Sequence, residues 1–223
     1  MLEVWGRRNS SNVMTVMWTI GELGLEYQRH NLGGSFGGNS DPEYIAINPN
    51  MVVPAINDNG KVLWESNVIA RYLAAVYGKG VLWAEDPYRR ALAEQWMDWT
   101  KTTFYGGFMP VFWNMIRKPA DKCDSVTRDA GIKTTAGLMQ ILDRHLCNRP
   151  FVAGDQLSLG DIALGPMMYR YFNLDIERPN LANVDAWYQR LCQRPAYQKH
   201  VMIPFGKSFD EWGPLEKAGA DIQ

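Results

Sequence analysis

Strand-like runs are confined to the first third of this 223-residue chain, and everything after them reads as helix. Strands that alternate with helical stripes must share a sheet, whereas a later run of amphipathic helices must build a core of its own. Leu2 to Trp5 forms a short apolar strand ending at Gly6, and Leu25 to His30 a second one. Between them Val13, Val16, Met17, Ile20 and Leu23 recur at helical spacing until Gly24 stops the run. A glycine-rich loop, LGGSFGGNSDP, reads as flexible and precedes a short helical piece near Pro42 to Ile47. Val52 to Ile56 reads as a strand interrupted by Pro54, and Asp58 to Gly60 as the turn of a hairpin into Lys61 to Trp64. Ile69, Tyr72, Leu73 and Val76 mark a helix beginning near Glu65.

After Gly78 the texture changes. KGVLWAEDP reads as a linker, and helical stripes follow: Leu92, Trp96 and Trp99, then Leu138, Ile141, Leu142 and His145. A third helix opens at Ser158, where Ser158 and Asp161 have the spacing of a capping box, and its interior Pro166 is expected to kink it. A fourth carries Leu181, Val184, Tyr188 and Leu191. The expected organisation is an α/β domain over residues 1–80 and an all-α domain over 87–223, with no internal repeat.

Charge and missing motifs remove several function classes. With 23 basic against 24 acidic residues and no basic stripe, neither nucleic acid nor an anionic membrane has electrostatic support as a partner. Cys123, Cys147 and Cys192 are odd in number and far apart, which excludes a local dithiol centre and fits a reducing compartment. The N-terminus lacks a signal-peptide pattern and no run reaches membrane-spanning length, so a cytoplasmic location is expected. There is no GxxxxGK[ST], no GxSxG and no HExxH, and His30, His145 and His200 are widely separated, so no metal is expected.

Three segments carry chemistry. NSSN, Asn9 to Asn12, lies between the opening strand and its helix. All four residues are good N-caps, yet a hydroxyl there also faces positive backbone N–H groups where an anion such as a thiolate is stabilised. Val53-Pro54 breaks a β-like run, leaving an edge whose backbone is free to pair with an extended peptide. In WESN, Ser66 is either a simple cap or, with Glu65, part of a clamp: the acid takes an amino group and the hydroxyl a carboxylate.

These segments together resemble a glutathione S-transferase over nearly the whole chain. The resemblance rests on SSNVMTVMWTIGELGLEYQ, NPNMVVPAI, LWESNVIARYLAAVYG and FVAGDQLSLGDIALGP in that order. It implies a thioredoxin-like N-terminal domain, a cis peptide before Pro54, and glutathione as co-substrate bound by Val53, Pro54, Glu65 and Ser66. It also implies a helical domain that supplies the electrophile pocket, and a homodimer in which Asp98 reaches the partner's glutathione. Many family members use an early tyrosine or cysteine, but no tyrosine precedes Tyr27 and no cysteine precedes Cys123. The remaining resemblance is to bacterial theta-like and nu-like transferases, which places Ser10 and Asn12 at the thiol, with Ser11 one residue off as the competitor. Aromatic residues Trp99, Phe104, Tyr105, Phe108, Phe112 and Trp113 are divided between core, interface and pocket. Attack of the glutathione thiolate on a small, for instance halogenated, electrophile is the implied reaction. Glutathione-dependent disulfide reduction or peroxidation, and a non-catalytic module, are the alternatives.

Overall fold

In the computed structural model, described here over residues 1–220, the first domain is a four-stranded sheet with helices packed against it. The strands are β1 (Leu2–Trp5), β2 (Tyr27–His30), β3 (Ala55–Asp58) and β4 (Lys61–Trp64), in the order β2-β1-β3-β4. β1 runs parallel to β2 with Leu2 opposite Tyr27, and antiparallel to β3 with Leu2 opposite Asp58. β3 and β4 form the expected hairpin, Ala55 opposite Trp64. Its two-residue loop, Asn59-Gly60, has φ of 52° and 89°, the left-handed pair that matches the twist of the flanking strands. The strand expected over Val52–Ile56 begins only at Ala55, because Val53-Pro54 is cis and Pro54 has no N–H to give the ladder.

Helix α1 (Ser11–Leu23) ends at Gly24, whose φ of 63° is left-handed. The anticipated stripe of Val13, Val16, Met17 and Ile20 packs on the sheet, while Met14 and Trp18 enter the core of the second domain. Buried on two faces, α1 is apolar nearly all round, which a single stripe does not anticipate. Helix α2 is Pro42–Ile47, and α3 (Ser66–Tyr77) crosses the same face as α1, giving Ala70 and Ala74 to the helical core. The glycine loop is docked rather than loose: a 3-10 turn at Gly34–Phe36 is closed by Gly33 N–H on Gly37 O, and Ser35 N–H donates to Glu216.

The second domain is helical throughout, as expected; the last residues of its anticipated span, 221–223, lie outside the described residues. α4 (Pro87–Trp99) and α5 (Tyr105–Phe112) form one rod through to Arg117, with π-helical turns at Thr100–Phe104 and Trp113–Arg117. Then come α6 (Ser125–Leu146), α7 (Leu159–Asn173), α8 (Ala182–Cys192), α9 (Pro195–His200) and α10 (Phe209–Ala218). α7 runs helically through Pro166, against the α1 contact at Gly165, where a Cβ would collide with the Trp18 ring. Asp161 does more than cap. Fully buried, it accepts from Ser158 N–H and Oγ–H, from Val152 N–H and from Trp187 Nε1–H, all within 2.9 Å.

Candidate active site

The end of β1, the start of α1, the loop before β3 and the start of α3 meet at one edge of the sheet. Gly6 makes this possible. With φ of 153°, it lies where an added Cβ would strike Val13 and come within 3.3 Å of Val53, so β1 turns against both the cis-proline loop and the new helix.

Ser10 occupies the N-cap position of α1 but its hydroxyl makes no capping hydrogen bond, although the residue is only 6% exposed. The capping reading of this serine therefore fails for its side chain. Ser11, also buried, is the first helical residue. Asn12 points its Oδ1 at Lys101 Nζ, which leaves its Nδ2–H₂ as a donor. Asn9 is buried, and neither Oδ1 nor Nδ2 has a partner. Such orphaned amides are rare in a folded interior and mark a place where something else binds.

Across from them, Val53 is buried and outside the ladder, with Val52 O held by Tyr44 Oη–H at 2.6 Å and Asn48 Nδ2–H at 2.8 Å. Glu65, not Ser66, takes the cap position of α3, in a strained backbone with φ of 72°. Its carboxylate is exposed, while Ser66 Oγ is buried without a partner. A strained acid beside an orphaned hydroxyl at a helix N-terminus is the arrangement expected of a ligand clamp.

Two contributions were not readable from spacing. Lys101 reaches across from the first π-helical turn to Asn12, and its ammonium lies 5.8 Å from the centre of the Tyr105 ring. Burial pushes this lysine down to about 8, with the Glu65 charge opposing the shift. The second is a set of arginines, Arg7, Arg117 and Arg170, just past the end of β1, in the second π-helical turn and in the last turn of α7. Nothing in local sequence pattern flags them, because only the domain packing brings them together.

Other expectations resolve differently. Phe104, Phe108 and Phe112 are wholly buried in the chain's own core, whereas Tyr105 is half-buried by the site and Trp113 exposed. Asp98 pairs with Arg71 of its own chain at 3.0 Å. Among the described residues no group of three His, Cys, Asp or Glu side chains is placed to hold a metal, and no helix is long and apolar enough to cross a membrane. A surface cleft of about 710 Å³ between Gly80–Asp86 and Ala153–Leu159 contains none of these site residues.

Comparison with known proteins places the chain in a family. Residues 1–75 match the glutathione S-transferase N-terminal domain model and residues 105–195 the C-terminal one. The chain is 41% identical over 206 residues to glutathione S-transferase GstB of Escherichia coli K12, covering 92% of this chain and 99% of that one. Among solved structures, the theta class glutathione S-transferase of Xanthomonas axonopodis pv. citri with glutathione bound superposes with a TM-score of 0.89 at 44% identity, covering 92% and 99% of the two chains. A delta-class glutathione transferase of Nilaparvata lugens gives a TM-score of 0.80 at 25% identity over 98% and 99%.

Proposed function

The chain belongs to the glutathione S-transferase family, and from that premise we propose that it ionises the glutathione thiol at the start of α1 for attack on small electrophilic, including halogenated, carbon centres. It is a glutathione S-transferase, and glutathione is its co-substrate. The observation that carries the proposal is the buried Ser10 hydroxyl, at a helix N-terminus and not engaged in capping.

A free thiol has a pKa of about 8.5, so only a few per cent is ionised at neutral pH. Lowering it by about 2 units takes roughly 2.7 kcal/mol of preferential thiolate stabilisation. A hydroxyl donor from Ser10, the Asn12 amide and the α1 N-terminus together are of the right size. In this reading Val53 pairs with the tripeptide backbone beside Pro54, Glu65 takes the amino group, and the orphaned Ser66 hydroxyl takes the adjacent carboxylate. No general base is needed: the thiolate forms a carbon–sulfur bond and the leaving group departs with the bonding electrons.

Ultraviolet titration of the bound thiolate tests the assignment. Ser10→Ala should move ionisation to higher pH and cut turnover by on the order of 10- to 1000-fold, as loss of an oxyanion donor does, with Asn12→Ala acting in the same direction. A shift confined to Ser11→Ala would move the active hydroxyl by one residue. If no variant shifts the curve, the helix N-terminus alone activates the thiol.

The homodimer belongs to the same proposal. Its support is the run of exposed apolar residues Val62, Trp64 and Val68 on β4 and α3, with Tyr88 on α4. Asp98, exposed and paired through one oxygen with Arg71 of its own chain, keeps the second oxygen for a partner's glutathione. A monomer by sedimentation at micromolar concentration, with activity intact, would refute the dimer.

A further inference from the structure

The three arginines cluster behind Asn9, beside the start of α1 where the thiol is proposed to lie. Arg7 Nε lies 2.8 Å from Glu216 Oε1, and both side chains are largely buried. Arg117 lies over the Trp212 ring at 4.4 Å, one helical turn before Glu216 on α10. Arg170, wholly buried, stacks on Phe112 at 4.3 Å and lies 5.9 Å from the same Trp212 ring. Its Nη2–H donates to Asn9 O at 2.7 Å, directly before Ser10.

The charge in this cluster does not balance. Among the described residues, Glu216 is the sole carboxylate paired with any of the three guanidiniums, and Arg117 and Arg170 enter no ion pair. Burial, reinforced by the neighbouring Arg7 and Arg117, pushes Arg170 down to about 9, so it still carries its charge at neutral pH. Arg170 Nε has no acceptor, nor has the Asn9 amide a partner on either atom. Buried guanidiniums are normally satisfied by carboxylate or phosphate, in bidentate fashion. Here the donors outnumber the acceptors, beside the half-buried Tyr105.

We propose that the second-substrate position is built for an electrophile that carries a carboxylate or sulfonate, gripped by Arg117 with Arg7 and Arg170 behind it. The inference rests on the thiolate lying at Ser10. An aromatic or short-chain body would lie against the half-buried Tyr105 ring, with its reactive carbon toward the sulfur. A set of arginines used only to anchor α10 needs no such excess of donors.

The test compares 4-chloro-3-nitrobenzoate with 4-chloro-3-nitrobenzamide, matched in shape, the first anionic and the second neutral. Glutathione thiolate displaces chloride from each: the carbon–sulfur bond forms, the carbon–chlorine bond breaks, and chloride leaves with the bonding pair. Each kcat/KM is divided by the uncatalysed rate constant at the same pH, which cancels the different activation of the two rings. The wild-type ratio should favour the benzoate by roughly tenfold or more, the worth of a charge-assisted hydrogen bond, and Arg117→Gln should bring it near unity. Arg117→Lys should recover part of the preference, since it keeps the charge but loses the fork.

The two S-aryl glutathione adducts, titrated by tryptophan fluorescence, give the same comparison without turnover. Equal treatment of anion and amide by the wild type, in rate and in adduct binding, overturns the proposal. So does an Arg117→Gln enzyme that weakens both adducts equally, which would assign the guanidinium to glutathione itself or to anchoring α10. If neither adduct displaces glutathione from the wild type, the thiol placement at Ser10 falls, and this inference falls with it.

Discussion

Glu65 holds a backbone conformation, φ 72° and ψ 111°, that glycine adopts freely and other residues rarely do. Strain of this kind costs about 1–3 kcal/mol and persists where the surroundings or a ligand enforce it. Glu65→Ala keeps the strain and loses the carboxylate, so the glutathione Michaelis constant should rise at least about tenfold, the lower end for a charged hydrogen bond. Glu65→Gly should lose the same affinity yet raise the thermal midpoint, because the strain is relieved. A drop in midpoint for the glycine variant would show that the conformation is not strained. Lys101 gives a separate signature. Its ammonium, which holds Asn12, loses its proton near pH 8, so turnover should fall on an alkaline limb around that pH, and Lys101→Met should abolish the limb. An unchanged pH profile in that variant would detach Lys101 from the chemistry.

At the scale of elements, two residues of the proposed site fall where helices depart from regularity. Lys101 and Arg117 each lie in a π-helical turn of the α4–α5 rod, where the widened helix turns a side chain off the regular stripe. Their positions are invisible to a count of apolar residues at helical spacing, since such a count assumes 3.6 residues per turn throughout. The α7 N-terminus is the opposite case. Ser158 and Asp161 were legible from spacing alone, because a cap is a local interaction within one turn. The burial of Asp161 and its bonds to Val152 and Trp187 were not. Asp161→Asn places an amide N–H₂ against donors and should cost about 3 kcal/mol, read as a lower urea midpoint with an unchanged m-value. A loss below about 1 kcal/mol would mean that Asp161 is only a surface-type cap.

For the whole molecule, α1 is the hinge between both cores, and α9 seals it. Glu22 on α1 receives both Arg194 Nε–H and Nη2–H, and His200 packs against Gly21. Burial, with Lys199, Arg8 and Arg29 nearby, pushes His200 down to about 4. A histidine whose folded value is depressed binds its proton more readily when unfolded, so its contribution is complete above about pH 6.5 and is lost as pH falls toward 4. The loss should amount to about 1–2 kcal/mol after allowing for partial hydration, and His200→Phe should flatten stability between pH 4 and 6.5. An equally steep acid loss in that variant would place the titration elsewhere. The sequence by itself determined the strand and helix order of the first domain, the helical character of the second, the Asn59-Gly60 hairpin and the break at Pro54, because turn chemistry, proline geometry and helical periodicity act within a few residues. It also carried the family resemblance, since the motifs behind it are contiguous. Tertiary structure alone decided that Ser10 keeps its hydroxyl out of capping, that Trp18 faces the second domain, and that Lys101 and Arg170 reach Asn12 and Asn9 at the start of α1. Those depend on contacts between residues some ninety to a hundred and sixty positions apart, such as Asn12 with Lys101 and Asn9 with Arg170. The energy that fixes such contacts comes from burying two domains against one helix, and no local pattern encodes it.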